Sequence, residues 1–121
     1  MFDYHMHSRV SFDGHDTGLA MALAARDAGL KEICFTDHMD YEPLAGVQTL
    51  LYDLEAYGRE YDGLEVPGLK IRKGMEFGME PHNAQQLRLD AAKRHYDFIL
   101  GSVHFVGADD VYYASFWDGR T

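Results

Sequence analysis

Short apolar runs with a two-residue period alternate along the chain with longer stretches of helical spacing, predicting strand, helix, strand, helix, strand, helix, strand. The first run, Phe2 to Ser8, reads as a strand with His5 and His7 on one face and Tyr4 and Met6 on the other. A polar loop, Arg9 to Asp16, follows. Thr17 or Asp16 then caps a helix whose Leu19, Leu23 and intervening alanines form an apolar stripe, with Gly29 as its stop. Leu30 to Thr36 is a buried strand that runs straight into Asp37 and His38.

A loop with Pro43 and Gly46 leads to a second helix over about Val47 to Asp62, carrying Val47, Leu50, Leu51, Leu54 and Tyr57 or Tyr61 at helical spacing. The third strand, Leu69 to Phe77, emerges at Glu76. Pro81 opens a third helix to about His95, with Leu87, Leu89 and Ala91 or Ala92 inward and Arg88, Lys93 and Arg94 outside. The fourth strand, Tyr96 to Val103, ends at His104, and the segment from Phe105 to Thr121 is rich in aromatics. No internal repeat, low-complexity tract or linker interrupts this order, so residues 1–121 read as a single domain.

Strands and helices in strict alternation argue for parallel βα units joined by right-handed crossovers. Such folds build their sites at the carboxyl ends of the strands. The chain places chemistry there four times: His5 and His7 on strand one, Asp37 and His38 after strand two, Glu76 after strand three and His104 after strand four. His15, in the first loop, adds a fifth imidazole, while Asp13 and Asp16 beside it are alternatives for the same role or caps of the following helix. His82 is expected in a first helical turn, His95 in solvent, and Arg9 paired to a surface acid rather than to a phosphate.

Charge and composition narrow the partners. A formal net charge of −9 weighs against nucleic acid and anionic membranes, which need a basic face. Without an apolar run near the ~20 residues of a membrane-spanning helix, or the pattern of a signal peptide, a cytoplasmic protein is expected. The single cysteine, Cys34, lies in the run Ile33-Cys34-Phe35 and reads as a core residue in a reducing compartment.

Imidazoles with carboxylates suit zinc, iron or manganese, and no thiolate set suggests a structural zinc site. Glu76 is the natural bridging carboxylate. Two or three divalent ions held ~4 Å apart lower the pKa of a water, orient a phosphate and neutralise charge on attacking and leaving oxygens, which suggests phosphoester hydrolysis.

The segments His5-x-His7-Ser8, Phe35-Thr36-Asp37-His38, Gly74-Met75-Glu76 and Gly101-Ser102-Val103-His104-Phe105 together resemble the polymerase-and-histidinol-phosphatase (PHP) family, and more closely its histidinol-phosphate phosphatase branch. The resemblance implies an α/β fold, about half of a distorted (β/α)7 TIM-like barrel, with hydrolysis of histidinol phosphate through a metal-activated hydroxide in histidine biosynthesis. It also implies His5 and His7 as ligands of one ion, Glu76 as a bridge to a second held by His104, and His15 and His38 as ligands of a third. Asp37, His38 and Glu76 would be the catalytic residues, Asp37 by orienting an imidazole or a water. Family members are roughly twice as long, near the ~250 residues of ordinary βα barrels, and their later strands bring further ligands. The chain is therefore expected to be a fragment lacking a C-terminal half, or a short protein that closes its open barrel as a homodimer. The alternatives to a phosphatase are a metal-binding homodimer without turnover and a phosphodiesterase or nuclease of the same family.

Overall fold

Helix ends follow the local chemistry of the sequence. Thr17 accepts a hydrogen bond from the Ala20 N–H at 3.0 Å and starts α1 (Gly18–Asp27), and Gly29 takes a left-handed φ of 91° just past its end. Asp53 likewise caps α2 (Leu54–Tyr61) by accepting from the Glu55 N–H at 2.8 Å. Helix α3 spans Ala84–Ala91, well inside the predicted Pro81 to His95. The computed structural model describes residues 1–11, 13–39, 53–79, 83–103, 105–106, 109–110 and 118–119. The first residues of the predicted second helix, the turn at Pro81 and His82, and His104 lie outside the described residues.

Four strands, β1 (Phe2–Met6), β2 (Glu32–Met39), β3 (Lys70–Gly78) and β4 (Phe98–Ser102), form one parallel sheet in the order β1-β2-β3-β4. These are the parallel βα units that the alternating pattern predicts, arranged as the half-barrel that the family resemblance implies. Beyond it, β5 (Phe105–Val106) pairs antiparallel with β6 (Asp109–Asp110). Among the described residues no helix is long and apolar enough to cross a membrane.

Alternation along β2 and β3 divides the sheet into two faces. Ile33, Phe35, Met39, Met75 and Phe77 turn to the helices and pack with Ala22, Ala25, Tyr57 and Tyr61 into the core. Cys34, Thr36, His38, Gly74 and Glu76 occupy the opposite, inner face. Cys34 is fully buried there, and a Cβ on Gly74 would sit 2.8 Å from its sulfur, so the inner layer is tight at this level.

Tertiary packing overrides the sequence pattern in three places. In α1 the buried side is the small one, Ala22 and Ala25, while Leu19 stays 49% exposed and Leu23 also faces outward. Alanines let the helix approach the sheet closely, and the leucines are left facing away from the core. In β1 the pairing slips between Asp3 and Met6, so Tyr4 lies 5.6 Å from the Phe98 ring whereas Met6 packs into the core. Tyr4 and Met6 thus do not share a face, contrary to a strict two-residue period. In and after α3, Leu87 and Ala91 turn inward and Leu89 outward. Arg94, expected in solvent, lies over the Tyr57 ring at 4.6 Å and donates to Asp62 at 2.7 Å.

Candidate metal centre

The register of the sheet brings the candidate ligands together. His38 on β2 stands directly beside Glu76 on β3, and both lie near the carboxyl ends of their strands. From the end of β1, His5 Nε2 lies 2.9 Å and His7 Nε2 2.8 Å from Glu76 Oε2. His38 Nδ1 is 3.8 Å from the same oxygen. One buried carboxylate oxygen therefore faces three imidazoles, and its twin, Oε1, accepts from Ser102 Oγ of β4 at 2.9 Å.

Asp13 completes the group from the first loop. Its Oδ2 lies 3.1 Å from His7 Nδ1 and 3.0 Å from His38 Nε2. The loop can bring it there because it folds back on the end of β1: Ser11 N–H donates to the Ser8 carbonyl at 3.0 Å and Gly14 N–H to the Ser11 carbonyl at 3.1 Å. A Cβ at Gly14 would collide with the Ser8 carbonyl, so that return needs glycine.

Two donor sets result, His5-His7-Glu76 and His7-Asp13-His38, each with its ligand atoms within 4.8 Å of one another. The two sets share His7, and a neutral imidazole serves one ion, so filling both needs a bridging group; Glu76, whose Oε2 also lies 3.8 Å from His38 Nδ1, is the carboxylate fitted to join two ions. Three imidazoles with two carboxylates and no thiolate match zinc, iron or manganese.

The site is electrostatically poised for a cation. Burial disfavours charge on His7, but hydrogen bonds to Asp13 and Glu76 outweigh it and push the imidazole up to about 9. Burial likewise opposes ionisation of Asp13, yet His38 and His7 hold its carboxyl far below the usual range. Asp37 behaves differently. Burial raises it to about 6 against the opposing hydrogen bonds from Tyr61 and Ser8.

Of the residues singled out in the sequence, His5, His7, His38 and Glu76 converge. His15 is exposed and belongs to neither donor set, and Asp13, named beside it as an alternative, stands in the cluster. His104 lies outside the described residues. Asp37 is fully buried behind the cluster, accepting from the Ser8 N–H at 2.8 Å and from the Tyr61 hydroxyl. That arrangement suits an orienting role and leaves Asp37 outside both donor sets. Arg9 pairs with Glu60 at 2.8 Å and His95 is solvent-exposed, as expected. Sequence reasoning missed Ser8, Ser11, Tyr61 and Ser102 as parts of the site's support. Serines in His5-x-His7-Ser8 and Gly101-Ser102 were visible as motif letters, whereas Tyr61 carried no signal beyond helical spacing.

Comparison with known proteins finds related sequences and a related fold. The PHP domain family matches residues 3–120. The histidinol-phosphatase of Lactococcus lactis is 32% identical over 113 residues, covering 91% of this chain and 41% of the relative. A probable histidinol-phosphatase of Deinococcus radiodurans is 32% identical over 117 residues, covering 88% and 43%. A crystal structure of the Lactococcus lactis histidinol phosphate phosphatase, complexed with zinc, L-histidinol and phosphate, superposes with a TM-score of 0.82 at 31% identity, covering 90% of this chain and 42% of that one. The chain thus spans about two fifths of the length of these relatives.

Proposed function

This chain belongs to the PHP domain family, and from that membership we propose that its half-barrel carries the cation-binding part of a phosphomonoesterase site acting on histidinol phosphate. The observation that carries the proposal is the convergence of His5, His7, Asp13, His38 and Glu76 on the inner face at the strand ends. When bound there, two or three divalent ions acidify a water and neutralise charge on the phosphoryl oxygens. The chain's own part is to hold them. His5 and Glu76 would supply donors to one ion and Asp13 and His38 to a second, with His7, common to both sets, serving one of them and Glu76 the carboxylate able to bridge. Glu76 is kept in place by Ser102, and Asp37 fixes the backbone turn after His7. The substrate assignment is supported by the relatives' names and by the phosphate and L-histidinol in the Lactococcus structure. Zinc, iron and manganese all fit the donor set.

Metal analysis of protein purified without chelator, run alongside hydrolysis of histidinol phosphate with added manganese or zinc, tests this directly. At least two ions per chain with turnover are expected. Ions without turnover would favour the second reading, a metal-binding module that needs further barrel to act, and no ions at all would overturn both.

A homodimer is part of the same proposal. Edge strand β1 leaves Phe2 65% exposed, and Leu19 and Leu23 of α1 are exposed as well. Two copies would bring together eight parallel strands, the number in an ordinary βα barrel. Light scattering on a sizing column should therefore give twice the 13.8 kDa chain mass. A monomer across the micromolar range would count against it.

A further inference from the structure

The strand ends that carry His7 and His38 are tied to one helix by a single phenol. The alternation that turns those imidazoles inward turns their neighbours, Ser8 and Asp37, toward the helices, where both are fully buried. Tyr61, in the last turn of α2 and equally buried, donates its hydroxyl to Asp37 Oδ2 and also contacts Ser8 Oγ. Asp37 Oδ1 takes the Ser8 N–H at 2.8 Å, which joins the end of β1 to β2. A parallel link runs through Ser11, whose Oγ accepts the His38 N–H at 2.8 Å while its own N–H donates to the Ser8 carbonyl at 3.0 Å. The backbone at residues 7–8 and at 37–38 is thus gripped from behind the ligands, and the His7 and His38 rings sit 4.2 Å apart, centre to centre.

The phenol is itself held firmly. Its ring stacks on Phe35 at 4.6 Å, meets Tyr57 edge-on at 4.7 Å, and leaves so little room that a Cβ on Gly18 would lie 3.0 Å from it. Phenylalanine would fill the same pocket without the cost of burying a hydroxyl. The hydroxyl is therefore explained by what it binds.

We propose that Tyr61 is a positioning residue of the metal centre, its hydroxyl setting the spacing of His7 and His38 and so the strength with which His7, Asp13 and His38 hold a divalent cation. The proposal rests on the metal-site reading above. Its test is a cobalt(II) titration of the whole chain, followed by the visible d–d absorption, for the unmodified protein, Tyr61→Phe and Tyr57→Phe. The unmodified protein is expected to bind two cobalt ions. Tyr61→Phe should weaken one of them by at least ~10-fold, the scale of losing a ligand-orienting partner, and should change the band shape of that ion while keeping a cooperative melt. Tyr57→Phe removes a comparable buried hydrogen bond, the one Tyr57 donates to the Gly74 carbonyl at 2.7 Å, and should leave cobalt binding alone.

Unchanged affinity and spectrum in Tyr61→Phe would overturn the positioning role while leaving the metal site intact. No cobalt on the unmodified protein would instead overturn the site itself. Should Tyr61→Phe fail to fold, hydrogen exchange of the unmodified protein decides: zinc should protect α2 amides more than those of α3, and equal protection of both would overturn the proposal.

Discussion

Glu76→Gln is expected to strip at least one ion from each chain and, under the proposed function, to lower phosphatase turnover at least ~100-fold, the cost of removing a preorganised charged group from a site of this kind. Glutamine keeps the volume and can still accept from Ser102, so packing around residue 76 is preserved. What disappears is the negative oxygen that lies 2.8 Å from His7 and 2.9 Å from His5. A neutral amide oxygen is a poor bridge between cations, and the amide N–H₂ cannot ligate at all. Elemental analysis, steady-state rates and a melting curve on the same sample separate loss of the ligand from loss of the fold. Full ion content in a folded Glu76→Gln protein would remove Glu76 from the centre and with it the bridging argument.

Phe35→Ala is expected to cost ~3–5 kcal/mol, as truncation of a fully buried aromatic does. Phe35 is fully buried on the helix side of β2 and stacks on Tyr61. Such a loss is a large fraction of the whole stability of a small domain, ~5–15 kcal/mol, so the urea midpoint of the metal-free protein should fall sharply. Urea denaturation in chelator measures the effect. Zinc should restore part of the lost midpoint, because an ion bound only by the folded state stabilises it by mass action. A loss below ~1 kcal/mol would mean that the contact between α2 and β2 is not the centre of the core.

The parts of the fold that could be read in advance were those set by local chemistry. Thr17 and Gly29 bracket α1 because a hydroxyl can cap a helix and only glycine enters the left-handed region cheaply there. The parallel order followed from strands alternating with helices, and the site from imidazoles and carboxylates recurring where strands end. His5, His7, His38 and Glu76 then meet because neighbouring parallel strands present their carboxyl ends to the same side.

Other features depend on contacts between elements distant in sequence. The slip in β1 that separates Tyr4 from Met6 is a matter of pairing with β2, and no two-residue pattern encodes it. Leu19 and Leu23 look like a core stripe until the sheet selects Ala22 and Ala25 for close approach. Asp13 and His15 both carry ligand atoms within three residues of each other, and the loop's return over Ser8 brings only Asp13 into the cluster. Tyr61 reads as one more apolar position on a helix, and its hydrogen bonds to Asp37 and Ser8 exist only once α2 lies across the back of β1 and β2. The sequence by itself thus determined the order of the elements and the kinds of ligand at their ends, since propensity, capping and donor chemistry are local. Which side chains face one another, and which polar groups brace them from behind, was decided by packing and register, which no single segment contains.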